Sequence, residues 1–336
     1  MRNRVIFGCS GPVLEPGERD FFREAEPWGF ILFGRNIESR EQVRKLVEDL
    51  RETVGDARAP VLIDQEGGRV ARLKPPLWHA RPPQAVFGAL YAQAPETARE
   101  AAYLNARLIA YDLGELGITV DCLPVLDVPV PGAHDVIGDR AFGHEPTVVI
   151  EVGRAVMEGL MDGGVLPVMK HIPGHGRAGC DTHLALPHVT ADLTELSTTD
   201  FVPFRSLNAC PMAMTAHVVY DAIDPNRPAT TSPRVILKLI REEIGYQGLL
   251  MTDDLSMEAL SGPVSARAKA ALFAGCDVVL HCNGGRAEME EVMAEAKPLE
   301  GAPLKRAEAA LGHLTQAGHF EPRMAEERLK ELLAVP

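Results

Sequence analysis

The chain has no surplus of positive charge with which to hold a polyanion. It carries 34 Lys and Arg against 47 Asp and Glu, a net charge of -13. Nucleic acid and anionic membrane are therefore not expected as partners, because both need a phosphate-neutralising surface. A local basic pocket stays compatible with this balance, since net charge says nothing about one cleft. A disulfide framework is also missing. The six cysteines, Cys9, Cys122, Cys180, Cys210, Cys276 and Cys282, are scattered with no Cys-x-x-Cys pair, which is the usage of reduced, buried thiols. No run approaches the roughly 20 apolar residues of a membrane span. The apolar stretch before Cys9 falls short of the roughly 7–15 residues of a signal-peptide core, and reads better as a first strand. A cytoplasmic protein is expected. Internal repeats, low-complexity stretches and Ser/Gly-rich linkers are absent too, so the expected organisation is one domain over residues 1–336.

What is present is an ordinary globular balance, 46% hydrophobic and 24% charged residues, long enough to bury a full core. Short β-branched apolar runs alternate with longer amphipathic ones. The expected strands are Val5–Gly8, Gly29–Gly34, Pro60–Asp64, Thr119–Asp127, Leu166–His171, Ala213–Val218, Gly248–Asp253 and Val278–Cys282. Helical periodicity marks Arg40–Val54, Glu96–Leu116, Val148–Met161, Pro233–Ile244 and Ser265–Ala274, with Ser39 and Ser232-Pro233 as start signals and Gly275 as a stop. Eight strands alternating with helices predict an α/β fold, a (β/α)8 TIM-type barrel. A doubly wound sheet reads similarly. The charged tail Leu304–Leu333 is expected to form C-terminal helices packed outside the barrel.

Polar residues recur where those strands end: Asp64, Asp127, Lys170 with His171, His217, Asp253 with Asp254, and His281 with Asn283. One such Asp is ordinarily a cap or turn residue. Six strand ends carrying them predict a shared polar site, because barrel strands open their C-terminal ends on one face. The segment Lys170-His-Ile-Pro-Gly-His-Gly176 cannot be helical, given Pro173, Gly174 and Gly176, which rejects a helical His-Glu-x-x-His metalloprotease site. A loop-borne metal site built from His171, His175, Asp181 and His183 stays open as a minor alternative. In Asp181-Thr-His183, an extended backbone would put carboxylate and imidazole on one side and make His183 an acid and then a base near neutral pH. By spacing alone, a turn aspartate beside a surface histidine is the commoner arrangement.

Taken in order, Asp64-Gln-Glu-Gly-Gly-Arg-Val70, Gly138-Asp-Arg-Ala-Phe-Gly143, Lys170-His-Ile-Pro-Gly-His-Gly176, Asp181-Thr-His183 and Thr252-Asp-Asp-Leu-Ser-Met257 resemble glycoside hydrolase family 3, in its bacterial β-N-acetylhexosaminidase branch. The resemblance spans about residues 5 to 290, and the C-terminal helices fit the form that lacks the extra sandwich domain. It implies that Asp253 is the catalytic nucleophile; by strand alternation its neighbour Asp254 would face the opposite side, so a structural role is expected for it. It implies that His183 is the general acid/base on a mobile loop and that Asp181 orients it. Asp64, Arg72, Arg140, Lys170 and His171 match residues that hold the sugar hydroxyls, and His217 falls at a strand end lining the family's site. Thr182 stands where Ser is commoner and Ile172 where Phe is commoner, both beside rather than on the functional groups.

The implied activity is a retaining exo-β-N-acetylglucosaminidase of peptidoglycan turnover, with a small carbohydrate substrate and neither cofactor nor metal. Retaining glycosidases of the common type place two carboxylates about 5–5.5 Å apart; here an imidazole replaces one of them. Transfer to phosphate instead of water is the near alternative, since imidazole does not repel an incoming anion as a carboxylate does. A β-glucosidase, a metal-dependent hydrolase and a non-catalytic sugar-binding protein are the further ones.

Overall fold

The computed structural model describes residues 2–182 and 185–334. Eight parallel strands close into a barrel: β1 Asn3–Gly8, β2 Pro27–Leu32, β3 Val61–Ile63, β4 Val120–Asp121, β5 Leu166–Ile172, β6 Met212–Thr215, β7 Leu249–Asp254 and β8 Val278–His281. Each pairs with its neighbour in sequence, and the register Val5↔Val279 between β1 and β8 closes the ring. That closure excludes the doubly wound sheet. Helices fill the crossovers on the outside, as parallel strands require.

Local chemistry explains the elements. Ser39 caps helix Arg40–Thr53 by accepting from the Gln42 N–H, and this helix buries Val43, Leu46, Val47 and Leu50 at helical spacing. Each such aliphatic side chain contributes about 1.5–3 kcal/mol on burial. The Ser232 hydroxyl accepts from the Val235 N–H, 3.2 Å away, ahead of Arg234–Glu243, which is wound as a π-helix. Gly275 ends Val264–Ala274 in the left-handed conformation.

Two strands stop well short of their expected ends. β4 stops at Asp121 because Pro124 has no N–H to continue the ladder. The chain from Cys122 still runs extended, and the Leu126 N–H donates to Lys170 O at 2.7 Å. β6 stops at Thr215, where the chain departs into a small sheet of His188–Val189, Val219–Tyr220 and Asp224–Pro228. Helices Pro16–Ala25 and Gln84–Tyr91 were not anticipated from periodicity.

The C-terminal helices lie outside the strand wall, as expected, in two different places. Pro322–Leu333 packs along Pro95–Gly114. Gly301–Gly312 covers the N-terminal opening of the barrel, where Ala307 and Ala310 join the inward-facing Ile31, Leu62 and Leu249. Arg306 pins that helix through Asp277 at 2.7 Å, a buried carboxylate that Arg241 also binds at 2.8 Å. With one end sealed, the open C-terminal end is left for chemistry.

Candidate active site

A cavity of about 290 Å³ opens at the C-terminal ends of the strands, and Asp64, Arg72, Arg140, Lys170, His171 and Asp253 all line it. Residues more than 180 positions apart in the chain meet there because the barrel gathers every strand end on one face.

Asp64 follows β3 and leads into a tight turn. In that turn Gly67 and Gly68 have φ of 95° and 56°, and a Cβ on Gly67 would lie 2.3 Å from Pro82 O. The two glycines are therefore required by backbone geometry, and the turn delivers Arg72 back to Asp64, 3.0 Å apart. The Arg72 guanidinium also lies over the Phe33 ring, which lines the cavity.

Lys170, at 2% exposure, sits between Asp64 at 2.9 Å and Glu66 at 2.6 Å. Glu66 in turn takes a two-pronged contact from Arg140, at 2.8 and 2.9 Å. Burial alone would raise both carboxyls. The adjacent cations outweigh it, lowering Asp64 well below the usual carboxylate range and Glu66 to about 2. Lys170 is held firmly protonated, because the two carboxylates overcome the burial that would discharge it.

His171, joined to Lys170 by a cis peptide, is oriented by Asp127. The Nδ1 to Oδ2 distance is 2.7 Å, and Asp127 Oδ1 accepts from the backbone N–H groups of His171 and His175. Burial opposes ionisation of Asp127, but the His171 imidazole and these donors hold it at about 2. His175 also lines the cavity, with its Nδ1 buried and without a hydrogen-bond partner among the described residues. Burial pushes it down to about 4, so it is a neutral imidazole. Gly176 lets this loop pass the preceding strand end, since a Cβ there would lie 2.0 Å from Val128 O.

Strand alternation does not turn Asp254 away from the site, because Asp253 and Asp254 both reach the cavity wall; the two differ in what they bind. Asp254 accepts from the N–H groups of Ser256 and Cys282 at 3.1 Å each, and so ties the loop after β7 to β8. Asp253 Oδ1 accepts from the Asp254 N–H at 2.8 Å. Burial raises its carboxyl, yet neighbouring charge led by His171, with the Asp254 N–H, holds it below its ordinary value.

His217 departs from its expected place. It is fully buried and does not line the cavity. Its Nε2 lies 3.0 Å from the Asp254 carbonyl oxygen and its Nδ1 2.7 Å from the Thr230 hydroxyl. A carbonyl only accepts, so Nε2 carries the proton. Burial lowers the imidazole pKa and keeps the ring neutral, so Nδ1 accepts from Thr230. Both nitrogens are spent on the protein, and His217 supports the backbone beside Asp253 rather than presenting a donor to the cavity.

Of the Asp181-Thr-His183 motif, His183 lies outside the described residues. Asp181 is half-buried, and its carbonyl accepts from the Ala185 N–H at 3.0 Å. Thr182 lines the cavity, and its carbonyl accepts from the Ala259 N–H at 3.1 Å, joining this loop to the one after β7. His281, another strand-end residue, is buried against the Phe7 ring and does not line the cavity. Among the described residues, no group of three or more His, Cys, Asp or Glu is arranged to hold a metal ion.

Sequence gives Glu66 and Phe33 no site role, and it places Asp127 only among the strand-end polar groups and His175 only in the alternative metal site. Glu66 stood inside a quoted motif and Asp127 at a strand end, but what each binds becomes visible only in three dimensions.

Residues 23–316 match the glycosyl hydrolase family 3 N-terminal domain. A β-hexosaminidase of Alkalilimnicola ehrlichii is 41% identical over 285 residues, covering 83% of this chain and 80% of the relative. One from Methylobacillus flagellatus is 39% identical, covering 81% and 80%. Among solved structures, NagZ from Neisseria gonorrhoeae in complex with N-trifluoroacetyl-D-glucosamine superposes with a TM-score of 0.88 at 30% identity, over 100% of this chain and 99% of that one. A family 3 β-N-acetylglucosaminidase from Paenibacillus sp. superposes with a TM-score of 0.81 at 31% identity, over 97% and 61%.

Proposed function

Because the chain belongs to glycosyl hydrolase family 3, we propose that this glycosidase is a retaining β-N-acetylhexosaminidase that removes terminal N-acetylglucosamine through a covalent bond to Asp253. Asp253 attacks the anomeric carbon while His183, oriented by Asp181, protonates the departing oxygen. Water then displaces the aspartate ester, His183 takes the water's proton, and the anomeric configuration is retained. Asp64, Arg72, Arg140, Lys170 and His171 hold the sugar hydroxyls by charge-assisted hydrogen bonds.

One observation carries the assignment of Asp253. Asp64 and Glu66 are neutralised by cations and Asp254 is occupied with backbone donors. Among the described residues no donor is bonded to Asp253 Oδ2, and its carboxyl is the ionised one left facing the cavity. The names of the similar proteins support a 2-acetamido sugar.

The test is an Asp253→Ala variant on an aryl β-N-acetylglucosaminide. Loss on the order of 10⁴-fold or more in kcat is expected for a deleted nucleophile, and activity close to that of the unaltered enzyme overturns the assignment. Products formed in phosphate and in a non-nucleophilic buffer are compared alongside: a sugar 1-phosphate would replace hydrolysis with phosphorolysis. The substrate in the cell is proposed to be a cytoplasmic muropeptide fragment with a β-1,4-linked N-acetylglucosamine. A higher kcat/KM on chitobiose than on such a fragment contradicts that narrower reading.

A further inference from the structure

Arg107, on helix Pro95–Gly114, is 5% exposed. A guanidinium buried so far is ordinarily paired, as Arg81 is with Asp112 and Glu326. Among the described residues, no hydrogen bond or carboxylate reaches the Arg107 side chain. Its charge lies over the Phe320 ring, 4.5 Å from the centroid, and the residue lines a second cavity of about 440 Å³. This cavity is at the other end of the barrel from Asp253: its walls include Thr119, just before β4, and Gly164, just before β5. Tyr111, Ile118 and Phe320 supply apolar surface.

We propose that this cavity binds a monocarboxylate carried on a small apolar or aromatic body, with Arg107 as the anchor. The planar fork of a guanidinium matches a carboxylate, and the aromatic walls suit an apolar body. The charge of the ligand is limited to one. Helices Pro95–Gly114 and Pro146–Asp162 both end at the cavity and turn their partial negative charge toward it. Glu115 lines it as well, with its carboxylate partly offset by Arg44 at 3.5 Å. A dianion such as phosphate meets that field with Arg107 as the one cation lining the cavity among the described residues. The ligand does not compete with substrate, because the two cavities open at opposite ends of the barrel.

Calorimetric titration with benzoate, benzamide and inorganic phosphate tests the site in the full chain. Benzoate is expected to bind saturably, and benzamide and phosphate are not. Arg107→Gln should weaken benzoate by roughly tenfold or more, the size of one lost charge-assisted hydrogen bond. A second variant guards against misfolding of the first. Gly114 lines the cavity, and a Cβ built there meets no atom within 4 Å, so Gly114→Leu is expected to fold, to keep unchanged turnover of an aryl glycoside, and to abolish benzoate binding. Failure of benzoate to saturate, equal binding of benzamide or phosphate, or benzoate binding that survives Gly114→Leu each overturns the proposal.

Discussion

The His217 imidazole donates its Nε2 proton to the backbone carbonyl of Asp254, 3.0 Å away, and is closed off from the cavity beside it. A histidine in this position acts on the substrate only through the backbone that carries Asp253. Replacing it with Ala is expected to lower kcat by about tenfold, equivalent to 1.4 kcal/mol of transition-state stabilisation, while KM moves little. Stability should fall by about 1–3 kcal/mol, because buried polar partners lose a hydrogen bond. Steady-state kinetics and urea titration read both; a steep rise in KM at constant kcat would mean that the ring touches sugar after all.

Glu66 is the counter-ion that keeps Lys170 and Arg140 together. Its carboxyl is held at about 2 in the folded protein against an ordinary 4.5, so its contribution is complete above pH 4.5 and disappears as pH falls toward 2. The difference in unfolding free energy between the unaltered protein and Glu66→Gln is therefore expected to be about 3 kcal/mol at neutral pH. Denaturant titrations across acid pH should show it narrowing through that window. A gap of constant size from pH 7 to pH 2 would contradict the ion-pair account.

Asp127 accepts from three donors at once: the His171 ring and the N–H groups of His171 and His175. An amide at this place must turn an NH2 toward one of them. Asp127→Asn is expected to destabilise the protein by about 1–3 kcal/mol through the unmade buried bond and to raise KM as His171 loses its orientation. Thermal unfolding and initial rates measure the two effects; a variant indistinguishable in both would remove Asp127 from the site.

The ionisation of Asp253 bears on the acid side of the pH–rate profile. Neighbouring charge lowers its carboxyl below the ordinary 3.8 despite burial, so the free enzyme keeps an ionised nucleophile as pH falls. The acid limb of kcat/KM is expected below pH 3.8, provided the fold persists there by circular dichroism. An acid limb near pH 6 with intact fold would assign it to a different group.

Gly176 lets its loop lie against Val128, where an added Cβ would sit 2.0 Å from the carbonyl oxygen. Backbone must move to admit it. Gly176→Ala is expected to cost about 1–3 kcal/mol, in the range of overpacking, and to displace His175 from the cavity wall with a loss of activity. A melting temperature unchanged from the parent would show the contact to be soft.

The sequence by itself determined the alternation of strands and helices and the motifs that mark the family. Those are local: β-branched runs, caps such as Ser39 and turn glycines such as Gly67 and Gly68 act over a few residues, and strand-end polarity at Asp64, Lys170 and Asp253 is readable without any fold. Tertiary structure decided who meets whom. Glu66 and Lys170 are more than 100 positions apart, and parallel pairing of β3 and β5 on either side of β4 brings their strand ends to one rim. Direction was decided there as well. His217 and Lys170 look alike as polar groups after a strand, yet one has its ring nitrogens taken up by Thr230 and a backbone carbonyl, while the other is held between two carboxylates at the cavity. Hydrogen-bond satisfaction in a buried rim is a property of the assembled barrel, and a linear pattern does not contain it.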